Sequence, residues 1–502
     1  MTTAQGARGG WVLVAAILGS SMVFIDGTVV NVALAALQAG LGATIAEVQW
    51  VVEAYALFLA ALLLVGGSLG DLYGRRRIFL AGTVLFAGAS AWCGLAPGIA
   101  QLIAARCLQG VGGAMLVPGS LALISTSFAA AERGRAIGTW SGSTAMTAAI
   151  GPVLGGWLVQ HGSWRWVFFL NVPMALVVVA VCLWRVPETR HKTESSAGPD
   201  WSGALLTTLG LGGVVFALIE WGRGGIAVSA AGIVGVAALA GLLAVENRVK
   251  APMVPFALFR SRNFAGANLL TLFLYGAVSG MLFFFPLDLI QVQHYSATAA
   301  GGALLPLILL LFALSRWSGG LVARFGARTP LIVGPLIAAA GFGLLALPPL
   351  GHSYWTMFFP AVAVLGVGMA VSVAPLTTVV MGAVPQERVG VGSGINNAVS
   401  RVAGLLAVAL LGLVLSNVFN ASLERQMDAM GLTGPARAEV VAQRGKLAAI
   451  ESSDPRIQDA VAGAFLSGYR VVLCIAAGLA MLSALAAAVM IRRERDTEAL
   501  HP

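Results

Sequence analysis

The sequence predicts an all-α integral membrane protein with an internal duplication, and three observations lead to this prediction. Of the 502 residues, 58% are hydrophobic and only 10% are charged, which is too little polar surface for a water-soluble globule of this size. Apolar runs of about 20 residues, the length of a helix that crosses a hydrocarbon core of about 30 Å, follow one another along the chain. A charged loop from Gly67 to Arg77, G-S-L-G-D-L-Y-G-R-R-R, returns in looser form half a chain later, from Gly319 to Thr329.

Fourteen of these runs are predicted to span the membrane. In chain order they cover residues 11–34, 48–69, 78–96, 99–124, 136–159, 167–185, 202–221, 225–245, 264–286, 298–322, 330–349, 355–380, 391–418 and 463–491. Gly and Pro within the runs do not argue against them, because helices in lipid tolerate both residues. If the Gly-rich pair within 202–245 is misread, the count falls to twelve or thirteen.

Basic residues predict the orientation of the spans. Short loops on the side of the N-terminus carry most of the 30 Lys and Arg, whereas short loops on the other side carry only Arg165 and Arg223. Since cytoplasmic loops are enriched in basic residues, we expect both termini to be cytoplasmic in a plasma (inner) membrane. This signal and contact with anionic lipids account for the net charge of +9, so nucleic acid is not an expected partner.

Two segments have the composition of soluble chain. Residues 186–200, V-P-E-T-R-H-K-T-E-S-S-A-G-P-D, are predicted to form a cytoplasmic linker between the sixth and seventh spans. Residues 419–462 are predicted to form an outer loop in which charges mix with Ala and Leu at helical spacing. This loop either carries a short amphipathic helix on the outer surface or is a solvated spacer.

Several classes of function are excluded by features that the sequence lacks. It has no G-x-x-x-x-G-K-[ST] phosphate-binding loop and no soluble domain of the size of an ATPase, so any transport is expected to be secondary unless another subunit supplies ATP. All four cysteines fall in apolar runs without metal-ligand spacing, so neither a disulfide nor a metal site is expected. We expect no cofactor.

Three charged residues inside the spans are the candidate proton-coupling site. Asp26, Glu53 and Arg106 lie in spans one, two and four, and counting residues from the outer ends places all three about 8 to 12 Å deep. Charges in lipid are costly, and two carboxylates near one arginine respond to both burial and charge, as a proton-binding site requires. The alternative is a static salt bridge that locks the helices.

Other polar residues in or near the spans have less definite interpretations. Asn396, Asn397 and Arg401 in span thirteen either line a cavity or serve the structure. Asp288 and Glu220 end their spans at the predicted outer face, so we expect both to be solvated.

Small residues indicate close helix packing in spans four and five. Span four contains R-C-L-Q-G-V-G-G-A from Arg106 to Ala114, and span five contains G-P-V-L-G-G from Gly151 to Gly156. Small residues let helices approach, and Pro152 removes a backbone hydrogen bond, so these surfaces can slide or bend. Ordinary tight packing would explain either motif alone.

Motifs in the first 175 residues are similar to those of a known family. They are the loop 67–77, I-D-G-T-V-V-N-V-A-L from Ile25 to Leu34 with Asn31, Arg106 with Gln109, Gly110, Gly112 and Gly113, Gly151 with Pro152, Gly155 and Gly156, and W-R-W-V-F-F-L-N-V-P from Trp164 to Pro173. On these motifs the chain resembles the major facilitator superfamily, in its fourteen-span drug:proton antiporter branch. Two positions depart from the pattern, since Ala35 replaces a usual Pro and Ala323 replaces the acid of the second loop.

The resemblance implies a major facilitator fold with two six-helix bundles around a central cavity and two additional helices. The expected domains are an N-terminal bundle at 1–185, the linker at 186–200, the inserted helices at 201–250, and a C-terminal bundle at 251–502 that includes the outer loop. It also implies a conformational gate formed by the loop residues Gly67, Gly70, Asp71, Gly74, Arg75, Arg76 and Arg77, in which Asp71 holds the cytoplasmic side closed.

The implied function is export of amphipathic, cationic or lipophilic compounds in exchange for protons, by alternating access and without enzymatic activity. The expected partners are therefore a small-molecule substrate, protons and membrane lipids, and the expected form is a monomer. A proton-coupled exporter of one metabolite, lipid or siderophore would share these motifs, because they serve the conformational change rather than the cargo. A receptor or assembly factor that transports nothing is the alternative from another class.

Overall fold

A computed structural model describes residues 2–189, 200–248, 255–351, 353–385 and 389–492. These residues form helices, turns and short irregular connections, with no β-strand among them. The helices are α1 (Thr2–Leu41), α2 (Ile45–Tyr73), α3 (Arg75–Leu95), α4 (Ile99–Ser127), α5 (Ala130–His161), α6 (Trp166–Phe169), α7 (Asn171–Arg185), α8 (Trp201–Ile219), α9 (Ile226–Glu246), α10 (Arg262–Leu287), α11 (Ala297–Gly302), α12 (Leu305–Phe325), α13 (Arg328–Leu345), α14 (Phe359–Gly382), α15 (Val389–Ala429), α16 (Gly434–Gln443) and α17 (Pro455–Met490).

Each of the fourteen predicted spans coincides with one or two of these helices, which confirms the all-α membrane fold. Thirteen helical segments in the described part of the chain are long and apolar enough to cross a membrane. The remaining predicted span, 136–159, lies in α5, which has 32 residues but a high content of Gly, Ser and Thr. The Gly-rich pair within 202–245, on which the predicted count depended, is among the thirteen as α8 and α9.

The chain divides into two compact units. The first takes its described residues from Met1–Ala43, Glu47–Ala217 and Gly225–Met253, and the second from Thr44–Ala46, Leu218–Gly224 and Val254–Pro502. In the first unit α1 packs against α4, α5 and α7, and α3 packs against α4 and α7. In the second unit α10 and α15 pack against α17 and each other, while α14 packs against α12 and α13.

Glycines set the close approach of helices in the first unit. A Cβ atom added at Gly66 of α2 would lie 2.1 Å from the Ala114 carbonyl oxygen of α4, and one at Gly110 of α4 would lie 2.6 Å from the Tyr55 carbonyl oxygen of α2. Between α3 and α4, a Cβ atom at Gly112 would lie 2.7 Å from the Phe86 nitrogen. The obstacles are backbone atoms, which cannot move aside as a side chain can.

Gly66→Ala is therefore expected to destabilise the first unit, although alanine is the better helix former. The added methyl group has to push α2 away from α4, and overpacking of this kind typically costs about 1–3 kcal/mol. Gly88→Ala in α3 is the matched control, because a Cβ atom there meets nothing within 4 Å. A thermal unfolding measurement in detergent should show a lower midpoint for Gly66→Ala only; equal midpoints for the two variants would contradict the packing account.

The predicted outer loop at 419–462 is mostly helical. α15 continues to Ala429, α16 covers Gly434–Gln443, and a short 3-10 turn covers Arg444–Ala449 before α17 begins at Pro455. Val440 and Leu447 are buried, and the turn packs against α15 and α17. The segment therefore contains the short helix rather than only a solvated spacer, and it packs partly against the protein.

The predicted linker at 186–200 is only partly described, since 190–199 lie outside the described residues. Its first four residues continue from α7 and lie against the start of α3: the Arg75 nitrogen donates to the Thr189 carbonyl oxygen at 3.1 Å. Val186 is buried in the core of the first unit. This beginning of the linker is therefore part of the fold.

Candidate functional site

A buried ion pair between Asp26 of α1 and Arg106 of α4 lies inside the first unit. Arg106 Nη1 donates to Asp26 Oδ2. Asp26 is 0% exposed and Arg106 is 1% exposed, so water does not reach the charges in this conformation. The structure thus brings together two of the three residues that the sequence predicted for proton coupling.

Amide side chains saturate the other oxygen of Asp26. Gln109 Nε2 donates to Asp26 Oδ1 at 2.8 Å, and Asn171 Nδ2 donates to the same oxygen at 3.2 Å. Both amides also donate to Ser90 Oγ, at 3.2 and 2.9 Å, and this hydroxyl donates to the Phe168 carbonyl oxygen at 2.8 Å. The cluster therefore joins α1, α3 and α4 to the α6–α7 segment.

Arg106 keeps further partners besides Asp26. Its Nε donates to the Val51 carbonyl oxygen of α2 at 2.8 Å, and its Nη1 donates to Gln109 Oε1 at 2.7 Å. The guanidinium carbon lies 4.2 Å from the centroid of the Tyr55 ring, a cation–π distance. The Tyr55 hydroxyl in turn donates to the Val23 carbonyl oxygen at 3.2 Å.

The hydrogen bonds around the pair decide how well the fold accommodates its two buried charges. A buried pair gains Coulomb energy but loses the hydration of both charges, so its net stability depends on the surrounding hydrogen bonds. Arg106 donates to the Val51 and Gln109 oxygens besides Asp26, and Asp26 accepts from the Gln109 and Asn171 amides. Both members of the pair are therefore hydrogen-bonded to uncharged neighbours as well as to each other.

Glu53, the third predicted residue, is buried in α2 but stands apart from the pair. It is 1% exposed, and its Oε2 is buried without a hydrogen-bond partner. Within the described ranges, no ion pair or hydrogen bond joins it to Arg106, which instead contacts the α2 backbone at Val51. The structure therefore does not show Arg106 paired with both carboxylates, and the proton-coupling role of Glu53 stays a prediction.

The loop from Gly67 to Arg77 forms the sharp turn between α2 and α3. Asp71 Oδ1 accepts from Arg75 Nη2 at 2.8 Å and from Arg75 Nε at 3.0 Å. The two residues are four positions apart in the sequence. Gly74 separates the two helices with φ of 109°, a value that residues with a Cβ atom rarely adopt. The Gly74 nitrogen donates to the Gly70 carbonyl oxygen at 3.1 Å. Gly67 faces α4, where a Cβ atom added to it would lie 3.6 Å from Pro118.

Arg76 and Arg77 contact the chain beyond α7. The Arg76 backbone nitrogen donates to Glu188 Oε1 at 3.1 Å, and its Nη1 donates to the Val186 carbonyl oxygen at 3.0 Å. Arg77 Nε lies 3.7 Å from Glu188 Oε2. The start of the linker therefore supplies an acid to the N-terminal end of α3, where the helix dipole also favours a negative charge.

The second copy of the loop has the same local geometry in the second unit. α12 ends at Phe325, Gly326 has φ of 70°, and α13 begins at Arg328. Arg328 occupies the place of Arg76 and donates to the Ala488 carbonyl oxygen near the end of α17, as Arg76 donates to Val186 just after α7. The duplication seen in the sequence is thus a duplication of structure, and only the first copy has an acid at the position of Asp71.

The remaining predicted motif residues lie at helix contacts. Added Cβ atoms at Gly151 and Gly155 of α5 would lie 2.1 Å from Thr28 Oγ1 and 2.5 Å from Val29 Cγ2 of α1. Pro152 and Gly156 are buried in the same helix, and Asn31 is half-buried on α1. Gly113 faces Leu59, with a Cβ distance of 3.2 Å. The small residues of the span-five motif therefore let α5 pack closely against α1.

The three polar residues predicted in span thirteen do not form one cluster. Asn396 Nδ2 donates to Thr271 Oγ1 at 2.7 Å and to Asn268 Oδ1 at 3.2 Å, which joins α15 to α10. Asn397 is exposed and donates to the Ser393 carbonyl oxygen in its own helix. Arg401 is half-buried.

Two predictions about residues at the outer ends of the spans are wrong. Asp288 is 1% exposed and Glu220 is 5% exposed, whereas both were expected to be solvated. Glu220 pairs with Arg223 at 2.7 Å in the turn after α8. The error arose because position at the end of an apolar run says nothing about the neighbouring helices that cover it.

Sequence reasoning missed four members of the two sites. Ser90, Tyr55 and Asn171 surround the Asp26–Arg106 pair, and Glu188 contacts the loop. Asn171 stands in the Trp164–Pro173 motif, so a polar residue in an apolar span was available as a signal. Ser90 and Tyr55 are common in membrane helices, and nothing in their spacing marks them.

Fold and site together define a duplicated helical membrane protein of the transporter class, with a buried charge pair in one unit and a repeated helix–Gly–helix turn in both. The family model described as Major Facilitator Superfamily matches residues 16–408, and the chain belongs to this family. The resemblance noted in the sequence is thereby confirmed. Membership also means that the protein is a multi-pass membrane transporter of small molecules and not an enzyme.

Curated relatives and a solved structure agree with this assignment. The chain is 36% identical to the multidrug resistance protein Stp of Mycobacterium tuberculosis (strain CDC 1551 / Oshkosh), over 92% of this chain and 88% of the relative. It is 32% identical to the tetracenomycin C resistance and export protein of Streptomyces glaucescens, over 99% and 95% of the two chains. The fold is similar to a bacterial homologue of the human lysosomal transporter Spinster in an inward-facing and occupied conformation, with a TM-score of 0.69, 18% identity and 97% of each chain covered.

Proposed function

We propose that the protein is a proton-coupled antiporter that exports amphipathic, cationic or lipophilic compounds by alternating access. The observation that carries the proposal is the Asp26–Arg106 pair, which is buried within the membrane-spanning helices and saturated by Gln109 and Asn171. An ionisable pair in this position is a costly feature whose usual use is the movement of a proton or ion. The relatives named for drug resistance and export support the direction and the type of cargo.

The energy of the proposed exchange comes from the proton gradient. Each inward charge contributes about 2.3 kcal/mol per 100 mV of membrane potential, in addition to any pH difference. Asp26 takes up a proton from the outer side, and its neutralisation releases Arg106 from the ion pair. The change of conformation then carries the proton inward, and rebinding of Arg106 favours its release.

The proposed orientation has both termini in the cytoplasm of the plasma (inner) membrane, and the proposed working form is a monomer. In this orientation the Gly67–Arg77 turn lies on the cytoplasmic side, where it acts as the conformational gate. The proposed organisation is an N-terminal bundle at 1–185, two inserted helices at 201–250 and a C-terminal bundle at 251–502.

An exporter of one specific compound is the second candidate. The relative named for tetracenomycin C favours it, because that protein is named for a single compound and is similar along almost the whole chain. The two candidates differ only in the range of substrates. The motifs at the charge pair and the gate serve both.

Reconstitution in liposomes tests the proposal. Purified protein is placed in vesicles that contain a pH-sensitive dye and hold an acidic interior, and lipophilic cations, neutral antibiotics and lipids are added outside one at a time. We expect at least one compound to cause loss of interior protons that protein-free vesicles do not show. If no compound moves protons while the protein is folded and inserted, the antiporter function is rejected; a response to one compound alone favours the specific exporter.

A further inference from the structure

We propose that Asp288 and Tyr469 form a second proton-binding site, in the second unit, in which Asp288 holds a proton at neutral pH. The site shares no residue with the Asp26–Arg106 pair. Only its use in transport rests on the proposed antiporter function; the bound proton itself does not.

The first observation is the isolation of the Asp288 carboxyl group. Asp288 directly follows α10 and opens a π-helical turn, Asp288–Val292. It is 1% exposed, and both Oδ1 and Oδ2 are buried without a hydrogen-bond partner. Burial of an ionised carboxylate without partners is so unfavourable that such groups usually become neutral instead.

The second observation is an equally isolated phenol. Tyr469 of α17 is 1% exposed, its hydroxyl is buried without a partner, and it is near enough to Asp288 for an electrostatic interaction. The turn 288–292 packs against α17, which places the two groups on facing elements. A protonated carboxyl group and a phenol each offer one donor and at least one acceptor, so the two groups have complementary hydrogen-bonding capacity.

Other groups around Asp288 do not replace the proton. Arg470 of α17 acts on Asp288 at longer range, but its Nη2 donates to the Pro348 carbonyl oxygen at 3.3 Å, and no ion pair joins it to Asp288 in the part of the chain described. The Gln293 amide is close enough to the carboxyl group to favour its ionised form, but its Nε2 makes no hydrogen bond of normal geometry, so this support is weak.

The other elements that pack most closely against the turn, within the described residues, are α10, α11 and the 3-10 turn at Arg444–Ala449. The residues of α11 are A-T-A-A-G-G, which cannot titrate. Arg444 is exposed and Lys446 is half-buried, and neither is among the charges that act on Asp288. The titratable residues of α10, Arg262 and Tyr275, both lie more than three helical turns before Asp288 and are likewise absent from those charges.

A proton is the cation that fits this place. The two carboxylate oxygens are closed to solvent, so a hydrated metal ion or an organic cation has no room beside them. No group of His, Cys, Asp and Glu suited to a metal ion occurs among the described residues. The two aspartates therefore differ in how their negative charge is compensated. Arg106 compensates the charge of Asp26, whereas a bound proton neutralises Asp288.

Infrared spectroscopy of the purified full-length protein tests this assignment. Protein labelled with carboxyl-¹³C aspartate is measured at neutral pH, and spectra of wild type and Asp288→Asn are subtracted. We expect the difference to contain the carbonyl stretch of a protonated, labelled aspartic acid, with the usual downshift in D₂O. Asp428→Asn, which removes an exposed aspartate paired with Arg437, is the control and should lose only a carboxylate band.

A second variant makes the result decisive. Tyr469→Phe, which removes only the hydroxyl, is expected to shift the frequency of the same carbonyl band, and this variant covers the case in which Asp288→Asn does not fold. A difference spectrum that shows loss of a carboxylate band alone, or an unshifted band in Tyr469→Phe, would overturn the proposal. Neither measurement requires transport, so a failed antiporter function would leave the spectra unchanged.

Discussion

Asp26→Asn is expected to abolish proton-driven export, with the transport rate falling to that of protein-free vesicles. Asparagine has nearly the same shape, and its oxygen can still accept from Arg106, but the side chain cannot take up or release a proton. Arg106 then remains a buried cation without an anion. The measurement is uptake of a substrate into acidified proteoliposomes, compared at equal amounts of inserted protein.

The same variant should also be less stable, which provides an internal check on the geometry. Removal of one partner of a buried ion pair typically costs about 3–5 kcal/mol, because the other charge stays buried and uncompensated. The double variant Asp26→Asn, Arg106→Gln removes both charges and should recover part of the lost thermal stability without recovering transport. A double variant that is no more stable than Asp26→Asn alone would contradict the view that the two charges compensate each other.

Asp71→Asn is the second change expected to have a large effect, and in this variant transport and stability should separate. The side chain of Asp71 is 49% exposed and forms an i,i+4 pair with Arg75, so its loss should cost only about 0.3–0.5 kcal/mol of stability. Its two hydrogen bonds to Arg75 nevertheless hold the turn at Gly74, the proposed gate. We expect the efflux rate to fall by about tenfold or more, which corresponds to about 1.4 kcal/mol on the barrier.

Asp428→Asn provides the matched control for Asp71→Asn. It also removes an exposed aspartate paired with an arginine, at 2.5 Å from Arg437, but it lies near the end of α15, outside the turn. Efflux and unfolding midpoint should both stay at wild-type values. Equal efflux in Asp71→Asn and Asp428→Asn would refute the gate role of Asp71.

The sequence predicted the helical membrane fold because its signal is composition and length, which do not depend on how helices pack. Spans such as 48–69 and 99–124 were therefore placed within a few residues of α2 and α4. The extent of α15 was underestimated, since its last turns leave the apolar run and become polar while the backbone hydrogen bonds continue. Burial of Asp288 was missed for a related reason, because α17 covers it and that contact has no local signal.

The site was predicted in part. Counting residues from the span ends brought Asp26 and Arg106 to one depth, and the structure joins them. Depth alone does not say which face of a helix a residue occupies, and this is why Glu53 was grouped with a pair that it does not contact. The amides of Gln109 and Asn171 complete the hydrogen bonding of Asp26. This contact depends on how the helices pack in three dimensions, which the linear sequence does not reveal.

The most direct test of the central claim, that Asp26 carries the transported proton, separates coupling from substrate movement. Wild type and Asp26→Asn are reconstituted in vesicles with an interior pH dye, and a transported compound is followed both under a pH gradient and in exchange against itself with no gradient. We expect that Asp26→Asn moves no protons and gives no gradient-driven accumulation, whether or not it still exchanges substrate. Substrate-dependent proton movement by Asp26→Asn at the wild-type rate would contradict the claim.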